Sequence, residues 1–182
     1  MSAATETVKN LNIKEYFEIL INLMRHPAVF FADVAGETGT RRAWMFLFIS
    51  ALFYASVSMS YFFESSLQMG VVMMANGLLM PLLATLFTYI LVGMFHTERI
   101  EFARIFNIYA YATGAMMVVS WIPGLAIVLE PVRALLVGVG LVKACGLGKL
   151  KAASMVVATA FLLLMFFWTL APVVMELRAL LA

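Results

Sequence analysis

The chain has few of the residue types that build soluble active sites. Among its 182 residues are one cysteine and two histidines, and only 12% are charged, against about 25% in soluble domains. The single Cys145 excludes an intramolecular disulfide, and His26 and His96 lie too far apart in the sequence to indicate a structural metal site. The formal net charge of +2 gives no reason to expect a nucleic-acid partner.

Motifs of the common enzyme classes are absent as well. The sequence contains no GxxxxGK[ST], no GxGxxG after a strand, no HExxH and no GxSxG, which are the patterns of phosphate loops, dinucleotide sites, zinc proteases and hydrolases. Its Ser, His and acidic residues show no spacing typical of a triad. The sequence therefore predicts no catalytic residue, no cofactor and no metal, and we expect that the protein is not an enzyme.

Apolar residues are what the chain has in excess. They make up 64% of the sequence, the mean hydropathy is +1.01, and a monomer in water could not bury so much apolar surface. Residues 1–42 are predicted to form a cytoplasmic tail with interfacial helices. Residues 43–182 contain five apolar runs, at about 43–63, 69–95, 105–122, 131–147 and 152–175. Because about 20 apolar residues cross a bilayer core, we expect an all-α integral membrane protein with five transmembrane helices.

The basic residues indicate an orientation. Ten of the twelve Lys and Arg residues precede the first run or fall in alternate gaps, and the exceptions are Arg133 and Arg178. Lys and Arg near the ends of spans are retained on the cytoplasmic side. We therefore expect a cytoplasmic N-terminus and an outer C-terminus, and the opening MSAATETVKN shows no signal-peptide layout.

An amphipathic helix is predicted ahead of the first span, over residues 12–25. Asn12 with Glu15 has the pattern of a capping box, and the His26-Pro27 pair ends the helix because the residue before proline avoids the α region. A second short helix is expected over residues 27–35. The apolar face of the first carries Ile13, Phe17, Leu20 and Met24, widened by Tyr16 and Leu23. Such a helix lies in the membrane interface or packs on the protein's own cytoplasmic face.

Charged groups in the fourth run are functional candidates, since ionisable residues at membrane depth are costly. Glu130 and Arg133 are three residues apart and can pair on a helix. Arg133 and Lys143 are ten residues apart, about 15 Å on a helix, and both can extend to opposite membrane surfaces. Each of the three either anchors a helix end or contacts a substrate or a lipid headgroup.

Neutral polar residues complete the candidate set. Asn76 lies one turn before Pro81 in the second run, where it can bond carbonyls freed by the proline, join two helices, or bind a ligand. Asn107, Tyr109 and Tyr111 open the third run. There they either belong to the interfacial aromatic belt or contribute to function.

The later spans resemble a known family. The runs FARIFNIYAYATGAMMVVSWIPGL and PVRALLVGVGLVKACGLGKLKAAS are similar to the Ypt-interacting protein (Yip) domain family. Residues at the family's positions are Tyr109, Tyr111, Pro123, Gly146, Leu147, Lys151 and Ala152. The front segment FEILINLMRHPAVFFADV looks like the one before the first span in bacterial members, and the resemblance covers roughly residues 15–175.

The resemblance implies five membrane helices with a cytoplasmic N-terminus and an exposed C-terminus. Eukaryotic members are associated with Rab-type GTPases and early secretory membranes. Their acidic Asp-Leu-Tyr-Gly-Pro motif is absent here, where the chain reads ADVAGETGT. The resemblance therefore indicates a bacterial-type member in the inner membrane.

The expected function is that of a non-enzymatic multi-pass membrane protein that organises the membrane or acts as a scaffold. Its expected partners are the lipid bilayer and further copies of itself or other membrane proteins. The alternative is a transporter, or a transporter subunit, for a lipid or a small apolar molecule. A membrane-embedded enzyme would need two or more of Asn76, Glu130, Arg133 and Lys143 to converge on one pocket.

Overall fold

The computed structural model describes residues 12–60, 66–95, 99–120, 122 and 124–181, and all regular structure in these ranges is helical. This confirms the all-α prediction for the described part of the chain. The helices are α1 (Ile13–Arg25), α2 (Pro27–Val34), α3 (Arg41–Met59), α4 (Ser66–Phe95), α5 (Phe102–Ser120), α6 (Ala126–Cys145) and α7 (Lys149–Leu181).

Within the described ranges, four helices are long and apolar enough to cross a membrane: Arg41–Met59, Leu67–Phe95, Phe102–Ser120 and Lys149–Leu170. They correspond to the predicted spans 43–63, 69–95, 105–122 and 152–175, although residues 61–63 and 121 lie outside the described part. The remaining prediction, 131–147, corresponds to α6. That helix has 20 residues but includes Glu130, Arg133 and Lys143, so its composition does not mark it as a span, and the count of five stays a prediction.

The boundaries of α6 differ from the sequence prediction at both ends. The helix begins at Ala126, because Pro131 lies inside it instead of starting it. Glu130 and Arg133 are therefore within the helix and not at its mouth. It ends at Cys145 because Gly146 adopts a left-handed conformation with φ of +69°, which closes a helix without strain only at glycine.

Helix α5 forms the centre of the bundle. It is buried from Ile105 to Met117, and it contacts α3, α4 and α6, while α7 packs outside against α4 and α6. Glycine permits the closest approaches: a Cβ atom on Gly114 would lie 2.8 Å from the Phe46 ring, and one on Gly140 would overlap Ile108. Successive spans are neighbours, as their short connections predict.

Helix α1 has two apolar faces. Tyr16, Ile19 and Leu23 are buried against the bundle, so α1 does pack on the protein's own face. The neighbouring stripe stays exposed, with accessible fractions of 76% for Ile13, 53% for Phe17, 48% for Ile21 and 50% for Met24. The structure thus divides the single apolar face that the sequence predicts.

The ends of α1 and α2 follow the prediction in part. The Asn12 side chain accepts from the Ile13 N–H at 2.7 Å, but Glu15 pairs with Arg42, so the predicted capping box does not form. His26 leaves the helical region at φ −136°, as expected before Pro27. Helix α2 buries Phe31 and Val34 and packs against α6.

Candidate functional site

The three polar residues predicted on α5 are buried within the protein instead of lying at a lipid-facing belt. Asn107 is 1% exposed, Tyr109 7% and Tyr111 0%. Each is bonded to a different neighbour: Asn107 to Gly39, Tyr109 to Thr88, and Tyr111 to Glu37. Because buried polar groups need partners, these three residues connect α5 to two other parts of the fold, the turn before α3 and helix α4.

Tyr111 belongs to a cluster of three charged side chains and one hydroxyl near the start of α3. We call it the Glu37 cluster, and its members are Glu15, Glu37, Arg42 and Tyr111. The Tyr111 hydroxyl lies 3.1 Å from each Glu37 carboxylate oxygen and donates to this carboxylate. Arg42 bridges both acids, with Nη1 2.9 Å from Glu37 and Nη2 3.1 Å from Glu15. One arginine therefore joins α1, the segment before α3 and α3 itself.

Burial dominates the electrostatics of the Glu37 cluster. Desolvation raises the pKa of Glu37, and the nearby Glu15 adds to this, while Arg42 and the Tyr111 hydroxyl act in the opposite direction. The second Glu15 oxygen, Oε2, is buried and has no hydrogen-bond partner among the described residues. Two acids sharing one arginine in a partly buried place make this cluster sensitive to the loss of any member.

Asn107 holds the turn that carries this cluster. Its side-chain amide donates to the Gly39 carbonyl at 2.9 Å, and Gly39 has φ of +97°, a conformation that favours glycine. A polar cavity of about 440 Å³ opens beside the turn and is lined by Glu37, Arg41 and Arg42. The Asn107–Gly39 hydrogen bond and the Glu37 cluster therefore connect the N-terminal helices to the membrane bundle.

Tyr109 is part of a hydroxyl chain deeper in the bundle. Its hydroxyl lies 2.7 Å from that of Thr88, which in turn lies 2.8 Å from the Thr159 hydroxyl. The chain joins α5, α4 and α7, and all three residues are buried. Such interhelical hydrogen bonds are a common means of association between membrane helices.

Four of the predicted residues line two adjoining cavities. One has about 120 Å³ and lies between α4, α5, α6 and α7, and the other has about 310 Å³ and lies between α3, α4, α5 and α6. Glu130 and Arg133 line both, Tyr109 lines the smaller and Asn76 the larger. The predicted pairing of Glu130 with Arg133 is confirmed, and their side chains are 61% and 32% exposed. Together these cavities form an open space with a mutually neutralised ion pair in its wall.

Asn76 does not make the predicted bond beside Pro81. It is exposed and has no hydrogen bond with any described residue, whereas the Thr85 hydroxyl donates to the Pro81 carbonyl at 2.6 Å. Helix α4 continues through Pro81. Asn76 thus remains available at the cavity wall.

Lys143 lies away from the other candidates. It is exposed in the last turn of α6 and lines, with Lys149, an apolar groove between α6 and α7. Within the described ranges, no group of three or more His, Cys, Asp or Glu side chains could hold a metal ion. The seven predicted residues therefore divide among four places and not one.

Several partners of the predicted residues have no distinctive pattern in the sequence. Glu37 and Arg42 pair across a turn, and their separation of five residues is not a helical spacing that would predict the pair. Thr88 and Thr159 lie within apolar runs, where a lone threonine is unremarkable in sequence. The sequence does show one related pattern. The stretch GETGTRR, directly before an apolar run, is rich in charged residues and glycine, which is typical of a polar turn.

Comparison with known proteins complements this geometry. No curated protein and no solved structure matches the chain significantly. The model of the Yip1 domain matches residues 21–171, a range that begins within α1 and includes all of α2 to α6 and most of α7. The match covers most of the 182 residues, and it agrees with the resemblance recognised in the later spans. The chain belongs to the Yip1 domain family.

Proposed function

We propose that this protein is a non-enzymatic multi-pass membrane protein that organises the bilayer around it, with α1 embedded in the cytoplasmic leaflet. The observation that carries the proposal is the exposed stripe of α1, formed by Ile13, Phe17, Ile21 and Met24. In water this stripe would be unfavourable, whereas at the level of the lipid headgroups its burial is favourable.

The arrangement of charge on α1 supports this placement. Lys14 and Arg25 follow the apolar stripe around the helix, and Glu18 with Asn22 lie beyond them. Lys14 is 86% exposed and pairs weakly with Glu18 at 3.8 Å. Basic residues beside an apolar face are typical of helices that lie in the interface of an anionic membrane.

The docked face of α1 keeps the helix at a definite depth. The Tyr16 hydroxyl donates to Ser50 at 2.9 Å, since the Ser50 hydroxyl proton goes to the Phe46 carbonyl. Ser50 lies nine residues into α3, about 14 Å along the helix. Helix α1 packs on α2 and α5 and contacts α3 through the side chains of Tyr16 and Glu15. In the proposed placement it adds volume to one leaflet only, as a wedge would.

The proposal includes five spans, with α6 as the fourth, and the N-terminus in the cytoplasm of a bacterial cell. The 20 residues of α6 reach about 30 Å, the thickness of a bilayer core. Glu130 and Arg133 neutralise each other in its first half, and Lys143 is in its last turn. We propose the inner membrane as the location, and copies of the chain or other membrane proteins as partners of the scaffold.

The test compares vesicle shape at matched protein density. Wild-type protein reconstituted into liposomes should narrow the vesicles seen by electron cryomicroscopy, because α1 expands one leaflet. The double variant I13Q/M24Q removes two apolar side chains from the exposed stripe and should restore the diameter of protein-free vesicles. The control E18Q/N22Q changes the polar face and should behave as the wild type. Equal diameters for wild type and I13Q/M24Q would reject the wedge.

A second candidate, transport of a small amphipathic molecule, is favoured by the adjoining cavities at Asn76, Glu130 and Arg133. Polar groups converging on a membrane cavity are what a substrate path requires. Flux of candidate solutes from proteoliposomes tests this candidate. R133Q should reduce such flux at least tenfold while K151Q leaves it unchanged, and a flux equal to that of empty liposomes would eliminate transport of the solutes tried.

A further inference from the structure

A groove of about 700 Å³ runs between α6 and α7 on the outside of the bundle. Its walls are apolar, with Leu135, Gly138 and Val142 from α6 and Ala153 and Val157 from α7, while Ala28 of α2 closes one edge. Gly138 faces this space, because a Cβ atom built on it would meet no atom within 4 Å. The groove therefore offers room for a flexible apolar chain.

Two lysines line the groove at one end. Lys143 is in the last turn of α6 and Lys149 begins α7, so the turn between the helices brings both to the same place. Both are exposed, and neither forms a salt bridge with a described acidic residue. The first turn of α7 contains no acidic residue either. This end of the groove is thus suited to an anion.

The length of the groove matches one leaflet. Along α6 it extends from Pro131 to Lys143, twelve residues or about 18 Å, and along α7 from Lys149 to Val157, eight residues or about 12 Å. Half of a bilayer core is about 15 Å. An acyl chain entering at the lysines would therefore lie within the groove over the depth of its own leaflet.

We propose that this groove binds one anionic phospholipid, with its phosphate at Lys143 and Lys149 and one acyl chain between α6 and α7. The argument is charge complementarity at one end joined to an apolar path of leaflet length. Helix α2 at the groove's edge places the bound lipid next to the N-terminal helices. The inference concerns a different surface from the α1 stripe and does not depend on the role proposed for α1.

The test uses the full-length protein in mild detergent with equal amounts of phosphatidylglycerol and phosphatidylcholine of the same acyl chains. Native mass spectrometry then measures the ratio of the two bound lipids. Each lysine near an anionic headgroup contributes about fivefold, so the wild type should prefer phosphatidylglycerol by more than tenfold. K143Q/K149Q should bring the ratio close to one.

Matched controls separate this site from general surface charge and from misfolding. R99Q/K151Q removes two exposed basic residues that do not line the groove, and should keep the preference. G138F fills the groove and keeps both lysines, and should reduce the amount of bound phosphatidylglycerol several-fold. G93F places the same side chain at another open helical glycine, on α4, and should leave the bound amount unchanged.

Three results would overturn the proposal. The charge variants K143Q/K149Q and R99Q/K151Q could lower the preference equally, which would indicate unspecific attraction. G138F could retain the full amount of phosphatidylglycerol, which would show that the groove is not where the chain lies. G138F could instead convert a dimer into a monomer without changing the lipid ratio, which would assign the groove to a helix of a second copy.

Discussion

Single hydroxyl groups on α5 serve two kinds of partner. Tyr111 donates to the carboxylate of Glu37, whereas Tyr109 shares its bond with the neutral Thr88. Hydrogen bonds to charged groups contribute about 1.5–3 kcal/mol and neutral ones about 0.5–1.5 kcal/mol. At the scale of the residue, the two tyrosines should therefore differ in what they contribute to stability.

Removing each hydroxyl in turn tests this difference. Y111F keeps the ring contacts with Phe30 and Phe46 but leaves Glu37 with Arg42 alone, and should lower the free energy of unfolding by about 1.5–3 kcal/mol. Y109F should lower it by about 0.5–1.5 kcal/mol. Circular dichroism during titration with a denaturing detergent measures both, and a larger loss for Y109F would contradict the assignment.

Glu37 should make stability depend on pH. Its pKa in the folded protein is raised above the ordinary value of 4.5, chiefly by burial. Between 4.5 and the raised pKa the folded state holds more protons than the unfolded state, so the free energy of unfolding falls as pH rises through that interval. The stability that Glu37 contributes is complete below 4.5 and is lost above the raised pKa.

The variant E37Q removes this one titration. Across the interval that starts at 4.5, the wild type should lose stability relative to E37Q as the pH increases, measured by the same detergent titration. E18Q, at an exposed residue of α1, serves as the control and should follow the wild type throughout. A wild type that gains stability relative to E37Q with rising pH would refute the sign.

At the scale of the helix, different faces of one element have different surroundings. Helix α6 illustrates this with two glycines: Gly140 packs against Ile108 of α5, while Gly138 faces the open groove. The sequence places them two residues apart, which predicts different faces of a helix but not which face meets another helix. That choice depends on where α5 and α7 lie.

Alanine at the two positions should have opposite effects. G140A forces a methyl group against the fully buried Ile108, and overpacking of this kind costs about 1–3 kcal/mol. G138A meets no atom and should be neutral or stabilise by up to about 1 kcal/mol, since alanine favours helix more than glycine does. Thermal unfolding followed by tryptophan fluorescence distinguishes them, and equal shifts in Tm would argue against this packing of α6.

Sequence reasoning performs best for elements whose residues share one environment. The apolar runs predict the extents of α3, α4 and α5 closely, because length and hydropathy suffice for a helix in lipid. The prediction of the start of α6 was wrong, because proline is common in the first turn of a helix but Pro131 lies inside α6. The sequence also does not distinguish the two apolar faces of α1, because the same apolar side chains are favourable in lipid and in the protein interior.

For the whole molecule, the number of spans is the decisive property. If α6 crosses the membrane, its two ends lie on opposite sides. In a C145A background, a cysteine at Leu150, which is 85% exposed, should react with an impermeant maleimide only from the cytoplasmic side, and one at Ile127, 81% exposed, only from the outside. Labelling of both from the same side would show four spans and not five.

The sequence alone determined the class of the protein and its expected orientation. Both follow from quantities that add along the chain: apolar length sets the helices that lipid can hold, and the distribution of Lys and Arg sets the side on which each connection stays. The order and spacing of residues in the later spans also indicate the family, and the Yip1 domain model matches residues 21–171.

Only the tertiary structure decided which polar groups meet. Glu15, Glu37, Arg42 and Tyr111 come from three helices and a turn, and their bonds have no regular spacing that a sequence could reveal. The same holds for Lys143 and Lys149, which flank one groove because Gly146 reverses the chain between α6 and α7. Hydrogen bonds and ion pairs act over a few ångströms, so their partners are chosen by packing and not by order in the chain.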